Sequence, residues 1–548
     1  SVIGELMNKI ARYLNKNILG EVDIREAVRR HFSCDSSILQ IAPEIVIYPK
    51  NTKDIVKIAN FSWQFSQKGY RMPITVRGGG SDTSGAAIGS GIMLVMPAHM
   101  NMIEESDMRQ GLIRVQSGIT FKSVNDALSL SGAMIPSYPT TANYSTIGGA
   151  IANDSQGVLS GKYGSTYNYI DKLEVVLANG EVIQTGRKNK KQVNKLKGLS
   201  TFEGDVYRGL DGIYQDNKEL IASISDHDKS GYANIKKACL PDGSIDIMPL
   251  LVGSQGSLGI VTEAILKTEF ISRSRSAMVV VFDDFRNISE VLDSVAEKDP
   301  CIFEYISAET FIRASELGRE YFVQGKQILP NINGGALIIA FDEHSKGQRN
   351  RKLKKTSALF SDNVDILMDE GEGADSILDL MSITSVVYTT QNNEETMPPI
   401  FDGAFIPRKN IIQYLKLVRE LSEIMKIPTT IVGNVSSGIF TVRPILKLNT
   451  LMGKQKTFKM LDQYTKLVMK VDGYLAHLSG EGRLHSNFVS LKRDEKLTEL
   501  YKKIKHVFDP YGILNPGVKE QNDLRNIIKC LRPNYYPVGQ IVFKSLYK

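Results

Sequence analysis

One segment of this chain reads PTTANYSTIGGAIANDSQG, from Pro139 to Gly157, and is followed closely by Lys162-Tyr163-Gly164. Small and hydroxyl-bearing residues fill it, so backbone N–H groups and short side chains can line a flat polar ring system and its phosphates. A long polar loop in a compact domain usually serves a function. A purely structural role for so many small residues in series is the weaker interpretation. The segment therefore predicts one wall of a cofactor site.

A second glycine-rich loop lies upstream, where VRGGGSDTSG occupies residues 76–85 after the pattern of an apolar strand. Consecutive glycines let backbone N–H groups converge on an anion, because no Cβ blocks the approach. The hydroxyls of Ser81, Thr83 and Ser84 can donate hydrogen bonds to phosphate oxygens. The loop predicts a pyrophosphate site, although a flexible turn explains it equally well when it is taken alone.

A third stretch, GSQGSLGIV at residues 253–261, invites comparison with the glycine fingerprint of nicotinamide-binding proteins. That fingerprint requires a helix directly after the glycines, because the helix N-terminus takes the pyrophosphate. Here the glycines lead into GIVTEAIL, which has the pattern of a strand. The sequence therefore argues against a Rossmann nucleotide site.

In this order and spacing, the three stretches resemble the FAD-binding domain of the vanillyl-alcohol-oxidase superfamily, also called PCMH-type. Within it they are similar to the branch of D-lactate dehydrogenase and glycolate oxidase. The resemblance runs from about Ile41 to Gly517 and includes FDPYGILNPG near the C-terminus. It implies an α+β fold with a two-lobed PCMH-type FAD-binding domain, an α+β cap domain and a helical C-terminal segment that returns to the flavin.

The expected organisation has five parts. They are an N-terminal helical segment at 1–40, the PCMH-type FAD-binding domain at 41–270, the substrate-side cap domain at 271–455, the C-terminal helical segment at 456–520 and a basic tail at 521–548.

The resemblance also implies which residues hold FAD. They are Arg77, Gly78, Gly79, Gly80, Ser81, Asp82, Ser84, Pro139, Thr140, Ser145, Thr146, Gly148, Gly149, Asn153, Ser155, Gly157, Tyr163, Gly164, Gly259, Ile260, Val261 and Asn515. Family members that carry FAD covalently use a histidine or a cysteine in the glycine loops. Neither loop of this chain contains one, so the flavin is expected to be non-covalent.

The chain departs from the family where many relatives bind a divalent metal. Those relatives carry a pair of histidines in G-H-x-x-x-G-N-x-H, and the matching positions here are Asn434 and Thr441. Asn434 and Thr441 are poor ligands for a transition metal. Downstream, Glu481 matches a family glutamate, but the adjacent histidine is missing. No metal site is expected.

Removal of hydride from a 2-hydroxyacid needs a cation near the carboxylate and a base for the hydroxyl proton. The family arginine that grips the carboxylate is absent, and Thr384 lies about where it would be. The catalytic candidates are therefore Glu481, His485 and Arg443, with Arg408 and Arg483 as further cations. A structural role explains His485 and Arg443 equally well.

The leading hypothesis is an FAD-dependent oxidoreductase that transfers hydride from a small 2-hydroxyacid or alcohol to flavin without a metal. The main alternative is a flavin-binding protein of the same fold that has lost dehydrogenase activity and serves as an electron relay, sensor or interaction module. A sugar-alcohol or lactone oxidase shares the FAD domain and stays open as a third reading. The electron acceptor is expected to be a quinone or an electron-transfer protein.

Composition sets limits on these hypotheses. The chain has 548 residues, 42% of them hydrophobic, and a formal net charge of +7, which does not favour nucleic acid binding. Cys34, Cys239, Cys301 and Cys530 lack the spacing of a disulfide framework or a zinc site, which is typical of a reducing compartment. No apolar run approaches the roughly 20 residues that cross a bilayer. A cytoplasmic location is expected, and peripheral contact of the basic tail with the inner membrane face is left open.

Overall fold

The described part of the protein, in a computed structural model, comprises residues 2–369, 374–390, 395–401 and 403–535. It forms two compact units. The first draws on Ser1–Ser155, Ser165–Glu269 and Ser479–Leu531, and the second on Gln156–Gly164, Phe270–Leu478 and Arg532–Lys548. The chain therefore leaves the first unit after Glu269 and returns to it at Ser479.

The first unit contains a four-stranded and a five-stranded sheet. The strands up to the end of this part of the chain are β1 Glu21–Asp23, β2 Ile45–Tyr48, β3 Ile74–Arg77, β4 Ile92–Val95, β5 Ile103–Asp107, β6 Leu112–Gln116, β7 Ala133–Met134, β8 Ile170–Val176, β9 Val182–Gln184, β10 Ile260–Lys267 and β11 Glu269–Phe270. The smaller sheet has the order β1-β2-β4-β3, and the larger has the order β5-β6-β10-β8-β9.

Helices accompany both units. They are α1 Val2–Asn17, α2 Glu26–His31, α3 Thr52–Gln67, α4 Phe121–Ser129, α5 Ile147–Asn153, α6 Ser160–Tyr163, α7 Lys190–Lys197, α8 Phe202–Asp216, α9 Lys218–Ala222, α10 Ile235–Ala238, α11 Met248–Leu251, α12 Leu292–Ala296, α13 Ala308–Glu316, α14 Lys346–Ser357, α15 Ala374–Leu378, α16 Ile383–Thr389, α17 Ile411–Met425, α18 Leu451–Lys470, α19 Ser486–Val489, α20 Glu495–Phe508 and α21 Leu524–Lys529.

The smaller sheet positions the first glycine loop. β2 and β3 both pair in parallel with β4, and α3 connects β2 to β3, because parallel strands need a crossover connection. The side chain of Asn51 accepts a hydrogen bond from the backbone N–H of Asp54 and starts α3. Ile55 and Ile58 on the buried face of α3 are fully inaccessible to solvent. The loop that begins at Gly78 follows β3 directly.

The larger sheet is antiparallel, and two of its local features follow from the sequence. β8 and β9 form a hairpin at Asn179-Gly180, where Gly180 has a φ of 96° that favours glycine. The third glycine stretch leads straight into β10 rather than into a helix. The nicotinamide fingerprint therefore lacks the helix that it requires, as the sequence indicates.

The second unit is built on one seven-stranded sheet. Its strands, together with a short hairpin of β14 and β15, are β12 Ser276–Phe282, β13 Ile302–Ser307, β14 Phe322–Val323, β15 Lys326–Gln327, β16 Gly335–Phe341, β17 Val364–Asp369, β18 Ala404–Phe405, β19 Thr429–Asn434 and β20 Ile439–Pro444. The large sheet has the order β17-β12-β16-β13-β19-β20-β18. Helices alternate with these strands, with α14 following β16 and α17 preceding β19, so the unit has the α+β character expected of the cap.

The N-terminal segment differs from the predicted helical segment at 1–40. α1 and α2 are present, but β1 lies between them and pairs antiparallel with β2. Glu21–Asp23 takes strand geometry because it completes the edge of the smaller sheet, which a local helical pattern does not reveal. Residues 536–548 of the basic tail lie outside the described residues. In the part of the chain that the structure covers, no helix has the length and apolarity needed to cross a membrane.

Candidate functional site

A cleft of about 910 Å³, including its open mouth, lies in the first unit. All three glycine stretches contribute to its walls, although they are far apart in sequence. The lining residues are Val76, Gly78, Gly79, Gly80, Ser81, Asp82, Ala86, Ala87, Met96, Ser117, Ser145, Thr146, Gly148, Gly149, Ala152, Asn153, Ser155, Leu251, Ser254, Gln255, Gly256, Gly259, Ile260 and Val261.

The first two loops touch each other, which explains two of the glycines. A Cβ on Gly79 would lie 2.0 Å from the carbonyl oxygen of Tyr144, and one on Gly78 would lie 2.3 Å from Oγ1 of Thr146. Within the described residues, the backbone N–H groups of Gly78, Gly79, Gly80 and Ser81 donate no hydrogen bond to the protein. The loop therefore presents a row of donors where an anionic group can bind.

Thr146 and α5 shape the second wall. The hydroxyl of Thr146 accepts a hydrogen bond from the backbone N–H of Gly149 at 3.1 Å and caps the helix. Ser81 and Ser145 connect the two loops through their hydroxyls, which lie 2.9 Å apart. The small residues of the second segment thus allow close packing against the first loop and leave the cleft open.

Ser117 is a cleft residue that the sequence patterns did not single out. It is 2% exposed, and its hydroxyl oxygen has no hydrogen-bond partner among the described residues. Its backbone groups are bonded, since its N–H donates to the carbonyl of Thr262 and its carbonyl accepts from Gly148. A buried hydroxyl without a partner is costly unless a ligand satisfies it. It follows β6 in an ordinary strand sequence, so no local signal marks it.

Asp82 holds the turn of the first loop rather than presenting a free charge. Its carboxylate accepts hydrogen bonds from the backbone N–H groups of Ser84 and Ala86 and from the hydroxyl of Ser84. Burial raises the pKa of Asp82 to about 7, and the neighbouring carboxyl of Asp35 adds to that rise. Arg77 lies behind the loop, where its guanidinium donates to the carbonyl of Cys34 at 2.6 Å.

The C-terminal part of the first unit reaches the same walls. The amide group of Asn515 donates to the carbonyls of Ala86 at 2.9 Å and Gln255 at 2.8 Å. The amide group of Gln255 donates to the hydroxyl of Ser84 and to the carbonyl of Ser479, and its oxygen accepts from Gly482. Asn515 is one of the residues expected to hold FAD; its side chain binds the loops that line the cleft, and its contact with the cofactor stays a prediction.

The predicted cofactor residues fall into three groups. Those that line the cleft are Gly78, Gly79, Gly80, Ser81, Asp82, Ser145, Thr146, Gly148, Gly149, Asn153, Ser155, Gly259, Ile260 and Val261. Those of the first unit that are not among the lining residues are Arg77, Ser84, Pro139, Thr140 and Asn515. Those that belong to the second unit are Gly157, Tyr163 and Gly164.

Within the second unit, the segment 156–164 is tied to the sheet by an ion pair. Nζ of Lys162 lies 2.7 Å from Oδ1 of Asp342, and the hydroxyl of Tyr163 donates to Oδ2 of the same carboxylate at 2.5 Å. The backbone N–H of Gly157 donates to the hydroxyl of Ser160. These contacts give Tyr163 and Gly157 a structural role within the second unit, and their role in holding FAD stays a prediction.

Glu481 lies in a buried cluster of charges in the first unit. Its carboxylate is 3.3 Å from Nζ of Lys519 and 3.3 Å from Nη2 of Arg493, and it accepts a hydrogen bond from the N–H of Gly231 at 2.8 Å. Burial alone would raise the pKa of Glu481, but the two cations and the amide hold it below its usual value. Glu481 is not among the residues that line the cleft, and its contacts indicate a structural ion pair. The catalytic role stays a prediction.

His485 is 1% exposed and lies near Glu481 in sequence, and its backbone N–H donates to the carbonyl of Glu481 at 2.9 Å. Neither residue lines the cleft.

The third catalytic candidate, Arg443, belongs to the second unit. Its guanidinium lies 4.2 Å from the ring centre of Tyr388 and donates to the carbonyl of Met397 at 3.1 Å.

One face of the sheet in the second unit carries polar groups. Asn434 pairs with Glu304 across β19 and β13, and its amide donates to the Glu304 carboxyl at 2.8 Å. Burial raises the pKa of Glu304 to about 8, and the hydrogen bond from Asn434 offsets part of that rise. Thr441 and Arg443 follow on the same face, because side chains alternate along a strand. Among the described residues, no group of three or more His, Cys, Asp or Glu side chains could hold a metal ion.

Comparison with known families assigns both halves of this architecture. Residues 43–186 match the FAD binding domain, and residues 271–518 match the C-terminal domain of FAD linked oxidases. The first match contains both glycine loops, and the second contains the seven-stranded sheet.

Curated relatives are similar over most of the chain. The D-2-hydroxyglutarate dehydrogenase of Haemophilus influenzae is 25% identical over 94% of this chain and 52% of its own length. The glycolate oxidase subunit GlcD of Bacillus subtilis is 24% identical over 90% of this chain and 92% of its own. The D-lactate dehydrogenase of Archaeoglobus fulgidus is 24% identical over 86% of this chain and 90% of its own. The chain spans about half the length of the hydroxyglutarate dehydrogenases that it matches.

Solved structures share the fold. The 4-ethylphenol oxidase of Gulosibacter chungangensis superposes with a TM-score of 0.67 at 13% identity and covers 95% of this chain and 98% of its own. p-Cresol methylhydroxylase superposes with a TM-score of 0.67 at 15% identity and covers 95% of this chain and 97% of its own. At these identities the likeness concerns the fold, and it confirms the predicted PCMH-type architecture.

Proposed function

Because the chain belongs to the FAD-linked oxidases, with an FAD binding domain followed by the C-terminal domain of that family, we propose that it is an FAD-dependent dehydrogenase of a small 2-hydroxyacid. The observation that carries the proposal is the cleft in the first unit, whose walls come from the glycine loops of the FAD binding domain. The names of the relatives point to 2-hydroxyacids as the substrate class.

FAD is the cofactor that both domains specify. The residues present fit it, since the cleft offers unbonded backbone N–H groups at Gly78–Ser81 and the unpaired buried hydroxyl of Ser117. The first loop would hold the pyrophosphate, and the wall of Ser145, Thr146 and Gly149 would hold polar parts of the cofactor. When bound, the flavin supplies the acceptor for a hydride.

The attachment of FAD is proposed to be non-covalent. None of the residues that line the cleft is a histidine or a cysteine, the two side chains that the family resemblance implies for a covalent bond to flavin. Denaturation would then release the whole flavin into the supernatant.

Arg443 is proposed to bind the substrate carboxylate. It is a half-buried cation on the polar face of the second unit, and its Nε has no hydrogen-bond partner among the described residues. The ring of Tyr388 packs against the guanidinium, and a guanidinium can bind a carboxylate through two N–H groups. This arrangement would take over from the family arginine that Thr384 replaces.

The polar pair of Glu304 and Asn434 lies on the same face of the seven-stranded sheet as Arg443. This pair is proposed to contact the substrate. Asn434 stands where relatives carry a metal-binding histidine, and its amide is held by Glu304. A neutral hydrogen-bonded pair at this place supports a reaction that uses no metal. Glu481 and His485 remain candidates for the base by resemblance alone, while the contacts of Glu481 favour a structural role.

The electrons are proposed to leave to a quinone or an electron-transfer protein. The stretch at 253–261 leads into β10 and lacks the helix that a Rossmann nicotinamide site needs. Contact with a membrane-bound acceptor would involve the basic tail, of which residues 536–548 lie outside the described residues.

The test is anaerobic reduction of the FAD-loaded full chain. The visible spectrum is recorded before and after addition of D-2-hydroxyglutarate, D-lactate and the achiral glycolate, with L-2-hydroxyglutarate and L-lactate as controls. Bleaching of the flavin band by one D-2-hydroxyacid would support the proposal and name the substrate. An Arg443→Met variant is expected to raise the concentration needed for half-maximal reduction by about a hundredfold, since a charged hydrogen-bonded pair is worth roughly 2–3 kcal/mol.

Two outcomes would count against the proposal. A flavin spectrum that the whole panel leaves unchanged, while dithionite bleaches it, would favour a flavin protein without dehydrogenase activity. Prompt release of peroxide on aeration with a sugar alcohol or a lactone would instead point to an oxidase of that class.

A further inference from the structure

Arg483 is a buried arginine that binds the walls of the FAD cleft from behind. Its Nη1 donates to the carbonyls of Gly85 at 2.6 Å and Ile88 at 2.5 Å. Its Nη2 donates to Oδ1 of Asn515 at 3.1 Å and to the carbonyl of Pro516 at 2.9 Å. The side chain is 8% exposed and does not line the cleft.

Asn515 carries this connection to the opposite wall. Its amide group donates to the carbonyls of Ala86 and Gln255, which both line the cleft. Its oxygen accepts from Arg483 and from the hydroxyl of Thr75. The backbone of Asn515 has a φ of 44°, a conformation that Asn adopts more readily than most residues. Arg483 and Asn515 thus join the end of the first glycine loop to the third stretch.

The surroundings of Arg483 keep its guanidinium charged. Burial lowers the pKa of Arg483 to about 10, and the nearby carboxyls of Asp35 and Asp82 oppose that fall. The side chain remains charged at neutral pH, and neutral carbonyl and amide oxygens accept its hydrogen bonds. Hydrogen bonds from a charged donor are the stronger kind, and a guanidinium can serve several acceptors in one plane. A lysine ammonium can form some of these hydrogen bonds, but it cannot serve all four acceptors from one planar group.

We propose that Arg483 is a positioning residue for FAD, which fixes the first glycine loop against the third stretch through the carbonyls of Gly85 and Ile88 and through Asn515. It acts through the loops and does not touch the cofactor. The inference rests on the assignment of FAD to the cleft and not on the proposed hydride transfer from a 2-hydroxyacid.

The experiment measures the affinity for FAD of the full chain after removal of its flavin. Binding of added FAD is followed by quenching of flavin fluorescence, and the reconstituted forms are compared by visible circular dichroism and by flavin midpoint potential. The variants are Arg483→Met and Arg483→Lys. The matched control is Arg349→Met, because Arg349 is a buried arginine of the second unit that likewise donates to backbone carbonyls, those of Glu343 and His344.

The Kd for FAD is expected to rise at least tenfold in Arg483→Met and by an intermediate factor in Arg483→Lys, with altered circular dichroism of the residual bound flavin. Arg349→Met is expected to lower the resistance to urea while the Kd changes less than twofold. An unchanged Kd, circular dichroism and midpoint potential in Arg483→Met would overturn the proposal. If that variant does not fold, an unchanged Kd in Arg483→Lys would overturn it equally.

Anaerobic reduction by the 2-hydroxyacid panel, measured together with the Kd for FAD, separates this inference from the proposed function. If wild-type protein binds FAD but no 2-hydroxyacid reduces it, the dehydrogenase proposal fails while the effect of Arg483 on the Kd stands. If 2-hydroxyacids reduce the flavin but Arg483→Met binds FAD like wild type, the positioning role fails alone.

Discussion

The backbone N–H of Gly148 donates a hydrogen bond to the carbonyl of Ser117 at 2.8 Å, and a Cβ on Gly148 would lie 2.9 Å from the Cβ of Ser117. This contact brings the end of β6 against the second glycine segment. It also holds the Ser117 hydroxyl in the cleft wall without a protein partner in the described part of the chain. The two residues belong to different walls of one site, although only Gly148 stands in a recognisable motif.

Ser117→Ala is expected to weaken FAD binding about fivefold, because one hydrogen bond to the cofactor is worth roughly 1 kcal/mol. Fluorescence titration of the FAD-free protein measures the Kd. The matched control is Ser62→Ala, since Ser62 is equally buried in the same unit but donates to the carbonyl of Met72. Unchanged affinity in Ser117→Ala would mean that the hydroxyl does not meet the cofactor.

Gly79→Ala is expected to abolish FAD binding at micromolar concentrations. The added Cβ would lie 2.0 Å from the backbone oxygen of Tyr144, so the first two loops must separate. The control is Gly212→Ala in α8, where a Cβ meets nothing within 4 Å. That control should raise the free energy of unfolding by up to about 1 kcal/mol, because alanine favours a helix over glycine. Normal FAD binding by Gly79→Ala would show that the loops can separate at little cost.

The motifs predicted most of the residues that line the cleft, because glycine loops carry their function in the backbone and in local sequence. Gly78, Gly79 and Thr146 line the cleft as expected. Ser117 was not predictable, since its role depends on the pairing of β6 and on its distance from α5, which are tertiary facts. The fold class was predictable for a similar reason, because strand and helix periodicities are local.

The substrate side was harder to predict, and Glu481 shows why. The glutamate after Ser479-Gly480 matches a family position and suggests catalysis by resemblance, and the structure surrounds it with Lys519 and Arg493. Its partners come from positions that no local pattern connects to it. Glu304 was missed for the converse reason, since a lone acid in an apolar strand carries no motif and gains its partner, Asn434, only through strand pairing.

Glu481→Gln is expected to lower the free energy of unfolding of the first unit by about 3–5 kcal/mol, because it leaves Lys519 and Arg493 buried without their counter-charge. Urea denaturation measures the loss. The control is Glu499→Gln, whose partner Lys502 and own side chain are 62% and 56% exposed, so the change should stay below about 1 kcal/mol. A variant with wild-type stability that no longer reduces flavin would instead support the catalytic role.

Glu304→Gln is expected to make the second unit more resistant to alkaline pH. Burial raises the pKa of folded Glu304 to about 8, against 4.5 for the ordinary group, so between these values the folded state binds more protons than the unfolded state. The free energy of unfolding of the wild type therefore falls as pH rises through this window and levels off above it. The free energy of unfolding of the glutamine variant lacks this decrease with pH. Its amide oxygen can still accept the hydrogen bond from Asn434. At pH 9 it should exceed the wild type by at most about 5 kcal/mol, and near pH 4 the two should agree.

Urea denaturation at a series of pH values from 4 to 9 measures this difference. The control is Glu297→Gln, an exposed carboxylate of the same unit, which should follow the wild type at every pH. Parallel curves for Glu304→Gln and the wild type would mean that Glu304 is ionised when folded. A charged carboxylate beside Asn434 would then replace the neutral pair on the polar sheet face, and it would be free to accept the hydroxyl proton of a bound substrate.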